Sequence, residues 1–181
     1  MGGLRKLVIT ENHLQYLKKI QIILFLLQLV LISGLIYFKS NYVINVTPSL
    51  PLGIYRLKKP NNLKTGDVVL FDIDMDVKKT MAERGYIPDK KTKLLKTIGA
   101  FENNKIEIIN NVLYVDRENY GEILAYDPLG KKLPQIEIKV EKGYFLALTK
   151  QNLSFDSRYF GQVELERIEK KAELVYEFKD K

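Results

Sequence analysis

Cysteine is absent from the 181-residue chain, histidine occurs once, and proline and glycine are sparse at 6 and 11. Without cysteine there is no disulfide, no thiolate nucleophile and no cysteine-based metal site. The single histidine, His13, excludes a histidine-cluster metal site and leaves any Ser/His/Asp triad dependent on one residue in the basic N-terminal region. Few prolines and glycines beside 28% charged and 46% hydrophobic residues argue against a disordered or collagen-like chain. Long basic runs are missing too. Of the net +7, only +4 lies beyond residue 38, in alternating signs such as Lys78-Lys79 with Glu83-Arg84. A nucleic-acid partner is therefore not expected. Catalysis, if present, has to use side chains other than Cys and His, and neither a metal nor a cofactor is expected.

The apolar residues are not evenly spread. Residues 20–38 form 19 consecutive positions without a charge, which as a helix at about 1.5 Å per residue nearly span the roughly 30 Å hydrocarbon layer. A cleaved signal peptide would have a shorter apolar stretch ending in a small-x-small site, whereas Tyr37, Phe38, Lys39 and Ser40 follow here. The run reads as a retained transmembrane helix. Arg5, Lys6, Lys18 and Lys19 precede it against Glu11 alone, so the positive-inside rule puts the N-terminus in the cytoplasm. The expected organisation is a cytoplasmic segment 1–19, an anchor 20–38 in the plasma (inner) membrane, and one extracytoplasmic domain 39–181 with an insertion at 101–142. The length suits a single compact domain.

Beyond the anchor, short β-branched and aromatic runs bounded by turn formers predict a mainly β fold, a sandwich or barrel. The runs are 53–57, 67–72, 94–98, 105–109, 112–116, 136–140, 144–148 and 172–178. Asn110-Asn111 reads as a hairpin turn, because Asn tolerates the left-handed conformation. Residues 78–84 read as a short helix.

With Cys and His set aside, the compact nucleophile is a serine activated by a lysine whose amine has been made neutral. That takes a downward shift of roughly three units from about 10.4, hence a buried lysine. Lys96 fits: in Leu94-Leu95-Lys96-Thr97-Ile98 the strand period of two sets it in phase with Leu94 and Ile98. On pattern alone, snorkelling to the surface stays open. Ser49 lies in Thr47-Pro48-Ser49-Leu50-Pro51-Leu52-Gly53, where two prolines stiffen the backbone and Gly53 is expected to permit a sharp bend. On local sequence it also reads as an ordinary connection. Only 11 residues separate Phe38 from Ser49, at most about 36 Å, so chemistry at Ser49 would lie close to the bilayer. The third feature, Ser154-Phe155-Asp156-Ser157-Arg158-Tyr159-Phe160-Gly161, is a dense polar run in which the acid and the Arg can pair; alone it passes for a surface turn.

Together and in this order, behind an N-terminal anchor, these segments resemble the type I signal peptidase family of Ser/Lys proteases. The wording is closest to its conjugal-transfer branch, the TraF-type peptidases that mature a conjugative pilin subunit. Thr47 to Tyr55 looks like the nucleophile box, Leu94 to Gly99 like the base strand, and Ser154 to Gly161 like the Ser-x-Asp-Ser-Arg-x-x-Gly box. The resemblance implies Ser49 as nucleophile and Lys96 as general base. The Ser49 amide and Thr47 would serve as oxyanion donors, Ser154 would orient the Lys96 amine, and Asp156 and Arg158 would brace the site, with Asp156 more directly involved in activity in the TraF-like branch. It implies an exported protein or pilin as substrate and conjugative transfer machinery as partner. A general signal peptidase and an inactive membrane-anchored assembly scaffold are the rival readings. Two departures stand out: Leu50 replaces a usual Met, and Gly99-Ala100-Phe101-Glu102-Asn103-Asn104 replaces a Gly-Leu-Pro-Gly-Asp turn.

Asp72, Asp74, Asp76 and Glu83 mimic calcium-loop spacing, but Val77 stands where the loop needs Gly. The sequons Asn45-Val46-Thr47 and Asn152-Leu153-Ser154 are read as coincidences.

Overall fold

The computed structural model describes residues 11–179, and the chain divides into two compact units that meet at Asn41/Tyr42 in sequence. Arg5 and Lys6 lie outside the described residues. The first unit is helix α1, Glu11–Asn41. It begins before the apolar run, because Leu14, Gln15, Leu17, Lys18 and Lys19 are all good helix formers. Asn41 Nδ2 donates to Tyr37 O (2.9 Å) in its last turn. At about 1.5 Å per residue α1 is about 46 Å long, more than the hydrocarbon layer requires. Leu24, Val30 and Ile36, which point in different directions around the axis, are all exposed. A helix apolar all round suits a lipid environment and marks a membrane anchor.

The second unit is built from antiparallel strands, as the run pattern predicts. In chain order they are β1 (Tyr42–Asn45), β2 (Gly53–Lys58), β3 (Val68–Phe71), β4 (Leu94–Ala100), β5 (Ile106–Ile109), β6 (Val112–Val115), β7 (Glu118–Glu122), β8 (Tyr144–Leu148), β9 (Val163–Glu164) and β10 (Ile168–Glu177). Helix α2 spans Met75–Glu83 and the one-turn α3 spans Ser157–Phe160. Seven strands form one sheet in the order β1-β2-β10-β3-β4-β8-β9, and β5-β6-β7 form a second.

Strand β8 shows how the layers meet. Phe145 and Ala147 enter one core with Val69, Phe71, Leu94, Ile98 and Met81 of α2, while Leu146 and Leu148 enter another with Leu113, Val115 and Tyr120 of the small sheet. Both faces of β8 are covered, so it reads as a continuous apolar run rather than an alternation. Residues 101–142 thus carry the small sheet and half of the second core.

Turn chemistry explains the hairpins. Asn110 and Asn111 have φ of 51° and 62°, the two positive angles of a type I′ turn between β5 and β6. Asp116 and Arg117, at 49° and 70°, join β6 to β7 in the same region, a turn the sequence pattern did not flag. Four further expectations need correcting. Residues 136–140 form no strand: Ile138 is buried against the second core, so the alternation there records a covered face without a ladder partner. Strands β1, β7 and β9 were not foreseen, being short or, in β7, polar. Strand β10 starts at Ile168 instead of 172, and α2 starts at Met75 instead of 78.

Candidate active site

Strands β1 and β2 pair with Asn45 opposite Gly53, which closes a hairpin loop of residues 46–52. Ser49 sits half-buried at the turn of that loop. Gly53 is not the bend expected of it. It lies inside β2 opposite Glu177 of β10, and a Cβ there would stand 2.1 Å from Tyr176 O, so glycine is required for close strand approach. The buried Tyr55 reaches back from β2, its hydroxyl donating to Pro51 O (2.9 Å) and fixing the loop's descending arm. Thr47 Oγ1 lies 3.3 Å from Ser49 Oγ.

Lys96 occupies the middle of β4, with Val69 of β3 at the same register. Leu94, Lys96 and Ile98 are 5%, 7% and 0% exposed, so the strand alternation buries the amine with its apolar neighbours. Its Nζ donates to Ser154 Oγ (2.6 Å). Burial pushes the Lys96 ammonium down from the ordinary lysine range to about 8; the Asp156 carboxylate opposes that shift and the Arg158 guanidinium adds to it.

The polar run after β8 is not a surface turn: Ser154, Asp156, Ser157 and Arg158 are all buried. Arg158 Nε and Nη2 bind Asp156 Oδ1 and Oδ2 at 2.9 and 2.8 Å, a bidentate pair that neutralises both charges out of solvent. Asp156 further accepts from the amides of Arg158 (3.1 Å) and Thr149 (3.2 Å), so both its oxygens are engaged by these two residues. Burial opposes the charge on Arg158, but the bonds to Asp156 outweigh it and raise its pKa. Arg158 also donates to Glu122 O on β7 and Gln151 O, and Ser157 Oγ accepts from Ala147 N on β8 (2.8 Å). Gly121, with φ of 92°, makes room: a Cβ there would press on Asn152 Oδ1 and Arg158 Nη1.

A cavity of about 500 Å³ brings the segments together. Ser49, Lys96 and Ser154 line it alongside Met81, Ile87 and Phe155. A second cavity of about 740 Å³ touches Ser49 from the side of Thr97, Thr149 and Tyr120. Among the described residues no hydrogen bond joins Ser49 to Lys96 or Asp156. Nor does one join Asp156 to Lys96, whose Nζ bonds Ser154; the Asp156 carboxylate is felt at the amine through space.

The departure at the end of β4 has a local solution. Gly99 and Ala100 continue β4 through a register shift, and Asn104 closes the following turn by accepting from Phe101 N (2.7 Å). A Cβ on Gly99 would stand 2.5 Å from the Leu148 side chain, which explains the glycine there. The calcium-like carboxylates are engaged elsewhere, Asp72 with Lys78 (2.5 Å) and Asp74 with Arg167 (2.6 Å), and no group of three or more potential ligands converges among the described residues.

Sequence reasoning missed Asn45, taken there for part of a chance sequon. Its side chain is 7% exposed and lies inside the loop, donating from Nδ2 to the carbonyls of Thr47 (2.9 Å), Leu50 (3.0 Å) and Pro51 (3.1 Å). The available signal was donor shortage, since Pro48 and Pro51 remove two N–H groups from a seven-residue loop.

Comparison with models of protein families matches residues 14–177 to the family described as signal peptidase, peptidase S26. No curated protein matches the chain. With nearly its whole length covered, the chain belongs to the S26 signal peptidase family, a family of serine peptidases that cleave signal peptides.

Proposed function

From that membership, we propose that Ser49 and Lys96 form the Ser/Lys dyad of this peptidase. The observation that carries the reading is the buried Lys96 amine, bonded to Ser154 and lining one cavity with Ser49. A neutral amine is the proton acceptor that a serine hydroxyl needs, and an ammonium titrating at about 8 is neutral in roughly one molecule in ten at pH 7.

Ser49 Oγ attacks the scissile carbonyl carbon as its proton passes to Lys96 Nζ. The Ser49 amide and the Thr47 hydroxyl stabilise the oxyanion. Collapse breaks the C–N bond, Lys96 returns the proton to the leaving amine, and an ester on Ser49 remains. Water, deprotonated by Lys96, then hydrolyses it. Ser154 orients the amine, while Asp156 and Arg158 are positioning residues that brace the loop carrying Ser154.

Anchored by the helix spanning residues 20–38, with the basic N-terminal segment on the cytoplasmic side, the domain from residue 39 onward works on exported substrates next to the plasma membrane. The finer reading is maturation of a conjugative pilin within a transfer machinery, in which the substrate's own N-terminal amine can replace water and leave a cyclic product. It is supported by the likeness of the Ser49, Lys96 and Ser154 to Gly161 segments to the conjugal-transfer branch. General removal of signal peptides is the second reading, favoured by the breadth of the family match.

Mass spectrometry of a co-expressed pilin precursor gives the cut and any cyclisation in one measurement. Ser49→Ala and Lys96→Ala should each abolish processing. If both leave it intact, the dyad reading fails and an inactive scaffold replaces it.

A further inference from the structure

We infer that Asn45 is the positioning residue of the Ser49 loop, setting the direction of the Ser49 amide and of the Thr47 hydroxyl. This rests on the dyad reading above.

The orientation of the Asn45 amide follows from its partners. Three carbonyl oxygens, of Thr47, Leu50 and Pro51, lie within 3.1 Å of one end. Carbonyls only accept, so that end is the nitrogen. The other end is then Oδ1, and it meets Thr47 N at 3.2 Å and Thr47 Oγ1 at 2.9 Å. One side chain thus gathers carbonyls from both arms of the loop and holds the residue two before Ser49 by backbone and side chain at once.

Proton placement follows as well. Asn45 Oδ1 only accepts, so the Thr47 hydroxyl proton goes to it. The Thr47–Ser49 contact of 3.3 Å must then be donated by Ser49. At rest the Ser49 proton faces Thr47, while the Lys96 amine faces Ser154. For Thr47 to donate to an oxyanion its hydroxyl must leave Asn45 Oδ1, and the Nδ2 bonds keep the loop in shape while it does so. Asn45 therefore supplies a frame that survives the hydroxyl switch.

The test compares Asn45→Ala, Asn45→Asp and Thr47→Val with the intact chain in detergent, counting active sites with a serine-acylating probe. Asn45→Asp can still accept from Thr47 but presents a carboxylate to the three carbonyls. Both Asn45 variants should lose about 10²-fold in kcat per titrated site, of the order seen on removing an oxyanion donor, with KM changed less than threefold. Thr47→Val deletes one of the proposed oxyanion donors outright and should lose at least as much, although the Nδ2 bonds remain. A merely structural role would lower the number of titrated sites and leave kcat per site alone. If both Asn45 variants keep kcat per site within threefold of wild type, the proposal is overturned.

Should neither variant fold, the wild-type chain answers by NMR: the Asn45 side-chain amide protons should exchange slowly with solvent, and exchange as fast as an exposed asparagine would overturn the inference. Ser49→Ala is the reference. Activity in that variant would defeat the dyad reading itself, whatever Asn45 does.

Discussion

At the scale of single residues, the role proposed for Lys96 depends on its being costly to bury. Its pKa in the folded chain, about 8, lies below that of a free lysine, so between those values the unfolded chain binds more protons than the native one. Stability therefore rises as pH increases through that window, and at neutral pH the native state carries the penalty. Under the proposed dyad the same titration gates the chemistry: kcat/KM should climb tenfold per pH unit below about 8 and level off above it. A rise that begins only near pH 10 would remove Lys96 as the base. Lys96→Met should abolish cleavage yet raise the thermal midpoint at pH 7, by an amount corresponding to about 1 to 3 kcal/mol. Differential scanning fluorimetry at pH 7 and pH 9.5 separates the effects, since the gain should shrink at the higher pH. Lys96's burial was legible from the alternation of Leu94, Lys96 and Ile98. Its bond to Ser154, 58 positions away, is in no local pattern: the family resemblance alone implied that partner, and the fold brings the turn after β8 beside the amine.

At the scale of elements, two hairpin arms and a buried turn hold the site. Gly53 shows how tight the construction is. Gly53→Ala forces a methyl group toward Tyr176 O, backbone of β10 that cannot swing aside. The expected cost is on the order of 3 kcal/mol or more, measured by denaturant unfolding, with loss of activity because β2 carries the descending arm of the Ser49 loop. An unfolding midpoint equal to that of wild type would show that β2 and β10 part easily. The glycine itself was visible in the sequence, but its reason was not: proline neighbours suggested a bend, and the approach of Glu177 of β10 from 124 positions downstream is a tertiary fact. Strand β1 escaped notice for a related reason. Four residues directly after a long helix have too short a pattern to stand out, and β1 is defined by pairing with β2. Residues 136–140 failed in the opposite direction, showing an alternation without a ladder.

At the scale of the whole molecule, an anchor and a catalytic unit share one chain. The unit from Tyr42 onward has its own two cores, so removing residues 1–41 should leave its thermal midpoint within a few degrees. Cleavage of a soluble peptide should persist at a similar kcat/KM. Processing of a membrane-inserted precursor should fall by about 10²-fold at equal enzyme concentration, because tethering to the same bilayer supplies effective concentration. Equal rates on the inserted precursor with and without α1 would show that the helix contributes nothing to substrate encounter.

What the sequence determined by itself is whatever depends on neighbours in the chain. The uncharged run forms the apolar helix, strand alternation buries Lys96, and paired asparagines turn β5 into β6. What only the tertiary structure decided is whatever depends on partners far apart in sequence. On local sequence Asp156 and Arg158 pass for a surface turn, and only the family resemblance gave them a bracing role; in the fold Glu122, Thr149 and Gln151 close around them and satisfy their buried hydrogen bonds. Ser49, Lys96 and Ser154 share a cavity only because β1, β4 and the turn after β8 converge there. Burial is written residue by residue along a strand. Juxtaposition is settled by which strands pair, and that is a property of the whole sheet.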